Sequence, residues 1–168
     1  DGGALDFTGS TLILSGDLDV SSVNFTPPTN LSLITVATFT DDSDLSIIDL
    51  NLGNNALTLG SNLAVANVVE FNHTEEKIIT GIHDLALSSG FTMSAGEISS
   101  TSGSITLNGA PTGGTLDFSS STLFLNGSLN TTATTFLAPT NLSLQANATL
   151  TTSSGLSITD LSLGGKAL

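Results

Sequence analysis

Leucine alternates with small polar residues throughout the chain, in a recurring phrase of the form x-Leu-x-Leu-x-Gly/Ser. The phrase appears first at 11–16 and, counting looser versions, returns at intervals of roughly 20 residues. A period of two predicts short β-strands with leucine on one side and hydroxyl or amide side chains on the other. The predicted inward-facing set is Leu12, Leu14, Leu31, Leu33, Leu57, Leu59, Leu85, Leu87, Ile105, Leu107, Leu123 and Leu125.

Asn, Gly and Pro separate these phrases and predict tight turns. Pro28 and Pro139 each stand two residues before an Asn-Leu-Ser-Leu sequence, which predicts a corner followed by a strand. Asparagines stacked at such corners are expected to form a ladder of side chains. The best helical candidate, 70–82, lies among the β-branched pairs 68–69 and 78–79, so we predict strand and loop there.

The chain contains an internal repeat with a unit of about 111 residues. Residues 5–57 align with 116–168 without a gap, and more than half of the aligned positions are identical. We therefore divide 1–168, taken as one continuous segment, into a first copy at 5–115 and a partial second copy at 116–168. We expect this to be part of a longer repetitive protein; the alternative is a complete protein whose partial repeat serves as a cap.

Short strands at roughly 20-residue intervals are typical of either a parallel β-solenoid or a set of β-sandwich repeats. The gapless repeat and the scarcity of aromatic residues favour an all-β parallel β-solenoid, or β-helix. With about 22 residues per coil, one repeat would make about five coils and advance roughly 24 Å. The whole chain would then form about seven to eight coils.

Composition excludes several functions. The formal net charge is −13, with only two basic residues, so we expect no binding to nucleic acid. With no cysteine, there can be no disulfide, thiolate nucleophile or iron–sulfur cluster. No apolar run approaches the ~18 residues of a membrane span, so we expect no membrane insertion. We predict no cofactor.

Two sets of carboxylates are candidates for chemistry. Asp6 and Asp49 recur as Asp117 and Asp160, which suggests either paired carboxylates for glycoside cleavage or turn acceptors. The densest acidic cluster, namely Asp41, Asp42 and Asp44, is a weak candidate for calcium. The second copy replaces these three residues with Thr152, Ser153 and Gly155, which favours a solvated loop.

The segment containing His73, Glu75, Glu76 and His83 occurs once and matches no metal signature, so we interpret it as a longer loop that bulges from the rod. Threonine-rich stretches suggest ice binding as a further hypothesis, but the outward positions vary too much for a regular threonine ladder. Seven Asn-x-Ser/Thr sequons are candidate glycosylation sites, with plain turn asparagines as the alternative. They are Asn24, Asn30, Asn72, Asn126, Asn130, Asn141 and Asn147.

The Leu-x-Leu-x-Gly phrases, the richness in Ser, Thr, Asn and Gly, the absence of Cys and the acidic charge together resemble giant repetitive surface proteins of prokaryotes. Examples are filamentous-haemagglutinin-like adhesins and autotransporter passenger solenoids. The resemblance implies export, a right-handed parallel β-helix and a role as a stalk, adhesive fibre or biofilm-matrix filament. No catalytic or binding residue carries over from it.

We therefore expect a non-catalytic segment of an extracellular or cell-surface fibre. Its expected partner is itself, through end-to-end stacking of coils in the same or a neighbouring chain, and its target would be carbohydrate or a cell surface. The alternatives are a β-helix enzyme acting on polysaccharide and a solenoid module that binds carbohydrate or ice. The absence of Arg, Trp and Tyr counts against the enzyme.

Overall fold

The computed structural model describes residues 3–168 and shows an all-β protein. Its 22 short strands pair in parallel and stack as a β-solenoid of about eight turns. Each coil passes through three strand positions, which we call the first, second and third faces in chain order. The predicted fold class is confirmed, and segment 70–82 is strand, turn and strand, as predicted.

The first and third faces each contain an unbroken hydrogen-bonded ladder, from β7 to β22 and from β3 to β19 respectively. The first face comprises β1 (Ala4–Asp6), β4 (Asn24–Thr26), β7 (Leu45–Ile47), β10 (Leu63–Val65), β13 (Leu85–Leu87), β16 (Ser104–Gly109), β18 (Thr122–Asn130), β20 (Asn141–Leu144) and β22 (Asp160–Ser162). The third face comprises β3 (Leu18–Asp19), β6 (Ala37–Thr40), β9 (Ala56–Leu59), β12 (Lys77–Ile79), β15 (Glu97–Ser99), β17 (Thr115–Asp117) and β19 (Thr135–Leu137).

The second face is less regular. It comprises β2 (Thr11–Leu14), β5 (Asn30–Leu33), β8 (Asp49–Asn51), β11 (Val69–Phe71), β14 (Phe91–Met93) and β21 (Leu150–Thr151). In the later coils, β16 and β18 bend around the corner, so that their last residues also belong to this face. Gly109 at the end of β16 pairs with Phe91 below it and Leu129 above it.

The coils are shorter than the sequence predicted. Paired residues in adjacent coils are as close in sequence as Ile105 and Leu123, and no further apart than Leu63 and Leu85. The strands β1 and β17 are equivalent in the repeat. The sequence predicted that five coils separate them, and in the structure five coils and two further faces do. At about 4.8 Å per coil, one repeat advances roughly 27 Å along the axis.

The core is a column of aliphatic side chains closed on all sides by the three faces. Eleven of the twelve predicted inward residues are buried, and the exception, Leu12, is only partly buried because it lies in the first coil. Three phenylalanines also lie in the column, and Phe39, Phe71 and Phe118 are fully buried. Phe118 makes an edge-to-face contact with Phe136 at a centroid distance of 6.3 Å.

The two copies of the repeat do not occupy the same faces. In the first copy β2 pairs with β5 on the second face, with Thr11 opposite Asn30. In the second copy the equivalent residues, Thr122 and Asn141, are also opposite each other, but they lie on the first face. Local pairing is thus preserved, and the repeated block is turned by one face about the rod axis.

Candidate functional site

Recurring polar side chains form short turns where strands end. The Thr8 hydroxyl donates to Asp6 Oδ1 at 2.6 Å, and the Thr8 backbone N–H donates to the same oxygen at 2.9 Å. Asp19 receives the same pair of hydrogen bonds from Ser21, and Asn130 receives it from Thr132. Such Asx turns redirect the chain at a corner, which explains why Asx-x-Ser/Thr recurs in both copies.

These turns also lower the pKa of two carboxyl groups. The side-chain hydrogen bond from Thr8 lowers the pKa of Asp6, and the backbone hydrogen bond from Thr8 lowers it further. Ser21 lowers the pKa of Asp19 in the same two ways. Both carboxylates are fully solvent-exposed, so they act as turn acceptors rather than as proton donors at neutral pH.

A ladder of polar side chains runs along the edge where the third face meets the first. Asn62 Nδ2 donates to Asp44 Oδ1 at 2.9 Å, and Asn62 Oδ1 accepts from the backbone N–H of Asp84 at 2.8 Å. Asp84 Oδ1 in turn accepts from the Ser104 backbone N–H at 2.7 Å. Each side chain therefore ties its coil to the next one.

A second ladder has the same chemistry on another edge. The Asn30 carboxamide spans the gap between the Thr11 hydroxyl, at 3.3 Å, and the Asp49 carboxylate, at 3.2 Å. Asp49 also accepts from Asn67 Nδ2 at 2.7 Å. In the second copy the equivalent contact, with Asn141 Nδ2 3.4 Å from the Thr122 hydroxyl, lies on the first face and so continues the first ladder from Ser104. Asp49 is thus part of a structural ladder.

The recurring aspartates are not brought together as catalytic pairs. Asp6 lies on the first face of the first coil, whereas Asp49 lies on the second face two coils later. Their equivalents, Asp117 and Asp160, are likewise on different faces and in different coils. The geometry that glycoside cleavage requires, two carboxyl groups flanking one bond, is absent from these pairs.

The three calcium candidates, Asp41, Asp42 and Asp44, differ in their contacts and exposure. Asp41 is largely buried and accepts from the Ser43 hydroxyl at 2.7 Å, Asp44 is bonded to Asn62, and Asp42 is exposed. Within residues 3–168, no three His, Asp or Glu side chains are grouped so that they could hold a metal ion. The calcium hypothesis for these three residues therefore gains no support from their geometry.

Glu76 has a role that the sequence did not reveal. Its buried carboxylate accepts from the backbone N–H groups of Asn72 and His73 in its own coil, and Oε1 lies 3.4 Å from the N–H of Asn54 in the coil below. Gly96 of the next coil packs against the carbonyls of His73 and Glu76. The expected bulging loop is instead a corner of the rod, clamped by a carboxylate.

The seven sequon asparagines divide by exposure. Asn24, Asn72, Asn130 and Asn147 are exposed, whereas Asn30, Asn126 and Asn141 are half-buried. The ladders already engage Asn30 and Asn141, and Asn147 Oδ1 accepts from the backbone N–H of Ala167. Glycosylation stays a prediction, best placed at Asn24 and Asn72.

One surface feature was not predicted. A shallow trough of about 350 Å³ runs along the outside of the first face. Ala64, Ala86 and Thr106 line it, together with the Asp84 carboxylate and the ring of Phe124. Phe124 is half-buried on the outer surface, whereas the other seven phenylalanines pack in the core or against its margin.

Comparison with known proteins gives no relative: no family model, no curated protein and no solved structure matches the chain. No helix long and apolar enough to cross a membrane occurs in residues 3–168. The class of the protein therefore rests on its fold, a parallel β-solenoid stabilised by side-chain ladders and Asx turns.

Proposed function

We propose that this chain is a structural rod, a non-catalytic segment of an extracellular or cell-surface fibre. The observation that carries the proposal is what the two copies of the repeat have in common. They share the inward leucines, the Pro corners and the Thr–Asn–Asp ladder, whose members link one coil to the next. They differ in most of their outward charges, including the whole cluster at Asp41, Asp42 and Asp44. The repeat thus keeps the residues that extend a stack.

Charge and composition support the same role. The net charge of −13 keeps neighbouring rods apart, and two basic residues leave few sites for trypsin-like proteases. Of the two basic residues, Lys77 forms an ion pair with Glu97 of the next coil, with 3.1 Å between Nζ and Oε2. This ion pair also links the two coils. The absence of cysteine suits a chain that must cross a membrane unfolded before it assembles outside the cell.

Duplication of the repeat tests the proposal. A chain with a second copy of residues 5–115 inserted after residue 115 should form a longer rod of unchanged thickness. Small-angle scattering should show an increase of about 27 Å in length and the same cross-sectional radius, because the inserted block adds five coils and two faces. A thicker or branched particle, or a second separate globule, would contradict the role as a rod module.

A carbohydrate-binding surface is the second candidate, and the trough on the first face favours it. The half-buried ring of Phe124 offers an apolar platform, and the neighbouring Asp84 and Asn62 side chains offer acceptors and a donor for hydroxyl groups. Titration with neutral oligosaccharides, followed by NMR, should shift the resonances of Phe124 and Ala86 if a glycan lies there. Phe124→Ala should abolish the shifts, whereas Ile82→Ala, at a side chain that is 71% exposed, should not.

A further inference from the structure

The floor of the trough on the first face is a column of small outward side chains that ends at an aromatic ring. Ala64 pairs with Ala86 in the next coil, and Ala86 pairs with Thr106 in the coil after that. Phe124 pairs with Thr106 one coil further along, and all four residues line the trough. At about 4.8 Å per coil, this column extends roughly 14 Å along the rod axis. The trough therefore suits a long, narrow ligand that lies parallel to the axis.

One long side of the trough carries two carboxylates. Asp44 Oδ1 accepts from Asn62 Nδ2, and Asp84 Oδ1 accepts from the backbone N–H of Ser104, so one oxygen of each aspartate belongs to the ladder. The other oxygen, Oδ2, accepts no hydrogen bond from residues 3–168, and both side chains are exposed. The two aspartates lie two coils apart, which is roughly 10 Å along the axis. Each is thus held in a fixed position with one acceptor oxygen directed to solvent.

Within residues 3–168, no basic side chain forms an ion pair with these carboxylates. The chain has two lysines, and Lys77 lies on the third face in an ion pair with Glu97. Lys166 comes after β22 and lies outside the trough. Of the described residues, those that line the trough include both aspartates and no Lys or His. In a chain of net charge −13, the trough therefore has a negative potential that attracts cationic ligands and repels acidic ones.

The backbone beneath the trough favours a sugar chain over a peptide as the occupant. The strands β10, β13 and β16 are each paired on both edges, so an extended peptide would find no open strand edge there. Its backbone N–H and C=O groups would lie against the alanine floor without partners, which costs free energy. A sugar ring instead presents C–H groups to an apolar floor and polar groups to the sides of the trough.

We propose that the trough binds a linear glycan that carries amino groups, with a sugar ring against Phe124 and ammonium groups at Asp84 and Asp44. This inference rests on the carbohydrate-binding candidate above and specifies its class of glycan. Each ammonium group donates to Oδ2, so Oδ1 keeps its hydrogen bond in the ladder and the coils stay linked. An N-acetylated glycan keeps the apolar contact and loses the ionic one. A glycan of uronic acids is repelled, because it places carboxylates next to carboxylates.

Titration with three oligosaccharides of equal length tests the preference for amino groups. The probes are oligomers of glucosamine, of N-acetylglucosamine and of galacturonic acid, at a mildly acidic pH where the amino groups of glucosamine are protonated. At low salt, the glucosamine oligomer should bind about tenfold more tightly than the N-acetylated one, because it forms two exposed ion pairs. Added salt should reduce this preference, and the galacturonic acid oligomer should not bind. NMR shifts of Phe124 and Ala86 would place the bound oligomers in the trough.

A pair of charge-removing substitutions locates the preference. Asp44→Asn combined with Asp84→Asn keeps the Oδ1 acceptors of the ladder and removes both charges, so the variant should fold, as circular dichroism would show. It should lose the tenfold preference and bind the N-acetylated oligomer as the unaltered chain does. The matched control is Asp19→Asn combined with Asp42→Asn, which removes two exposed charges outside the trough. The control should keep the preference, because the ion pairs in the trough are intact.

The proposal is overturned if the glucosamine oligomer binds no more tightly than the N-acetylated one, if the trough variant keeps the preference, or if the control loses it equally. Equal affinity for both oligomers, with shifts at Phe124, would overturn the preference for amino groups and leave the carbohydrate candidate standing. Absence of binding by all three oligomers would overturn both. A lysine peptide of the same charge that binds as tightly, with the same shifts, would overturn the choice of a glycan as the occupant.

Discussion

Leu12 and Leu123 occupy the same place in the repeat but lie on different faces of the rod. Leu12 pairs with Leu31 on the second face, and Leu123 pairs with Leu142 on the first. Leu31 and Leu142 are themselves equivalent in the repeat, so each leucine keeps its partner above. The three faces of a coil are similar, and a strand is stabilised by its neighbours in the stack rather than by the face on which it lies. The repeat can therefore change face and keep the same pairs.

The turn between copies predicts where paired labels will lie. Ser32 and Ser143 are equivalent in the repeat but on different faces, whereas Ser46 and Ser143 lie on one face, five coils apart. Since the chain has no cysteine, both pairs can be replaced by cysteine and spin-labelled. Pulsed EPR should give about 24 Å for the same-face pair and a clearly longer distance for the equivalent pair. Similar distances for both pairs would contradict the turn.

The sequence predicted the strands, the parallel stack and the leucine core because these depend on local alternation. It did not predict the turn between copies, because that depends on the exact length of each coil, and a small error in each coil accumulates over a repeat. The ladders were partly foreseen from the corner asparagines. The hydrogen bonds of the Glu76 carboxylate were not predicted, because a single glutamate in a sequence does not distinguish a solvated loop from a buried corner.

Truncation of Phe118 should be among the most destabilising changes to the core. The side chain is completely buried and meets Phe136 edge to face, so Phe118→Ala leaves a cavity as well as losing apolar contact. Urea denaturation should show a loss of about 3–5 kcal/mol in the free energy of unfolding. Ile82→Ala, at an exposed position, should change it by no more than about 0.5 kcal/mol.

The Asx turn at Asp19 should contribute stability that depends on pH. Because Ser21 lowers the pKa of Asp19 in the folded chain, this contribution is present above the ordinary pKa of 3.8 and is lost as the pH falls through the lowered value. Asp19→Asn should keep the turn, as Asn130 does in the second copy, and remove this part of the acid dependence. Thermal unfolding between neutral and acidic pH should show a smaller fall in Tm for the Asn variant. An equal fall in both proteins would count against the turn as the cause.

Removal of the Glu76 carboxylate should loosen one corner of the rod. Glu76→Ala leaves the backbone N–H groups of Asn72 and His73 without their acceptor, in a corner that Gly96 covers from the next coil. We expect a loss of about 1–3 kcal/mol in the free energy of unfolding. Hydrogen exchange should accelerate at the amides of residues 72 and 73, while Glu75→Ala, at an exposed neighbour, should leave both measurements unchanged.

Close stacking at Gly103 should make this position intolerant of any side chain. A Cβ added there would meet the backbone of His83 in the coil below, with the carbonyl carbon at 2.7 Å and the carbonyl oxygen closer still. Because backbone cannot rotate away as a side chain can, Gly103→Ala should force the two coils apart and cost about 1–3 kcal/mol. Gly155→Ala is the matched control, since nothing lies within 4 Å of its added Cβ, and it should change the free energy of unfolding by no more than about 0.5 kcal/mol. If denaturation shows equal stability for the two variants, the coils at Gly103 are not stacked as closely as the structure has them.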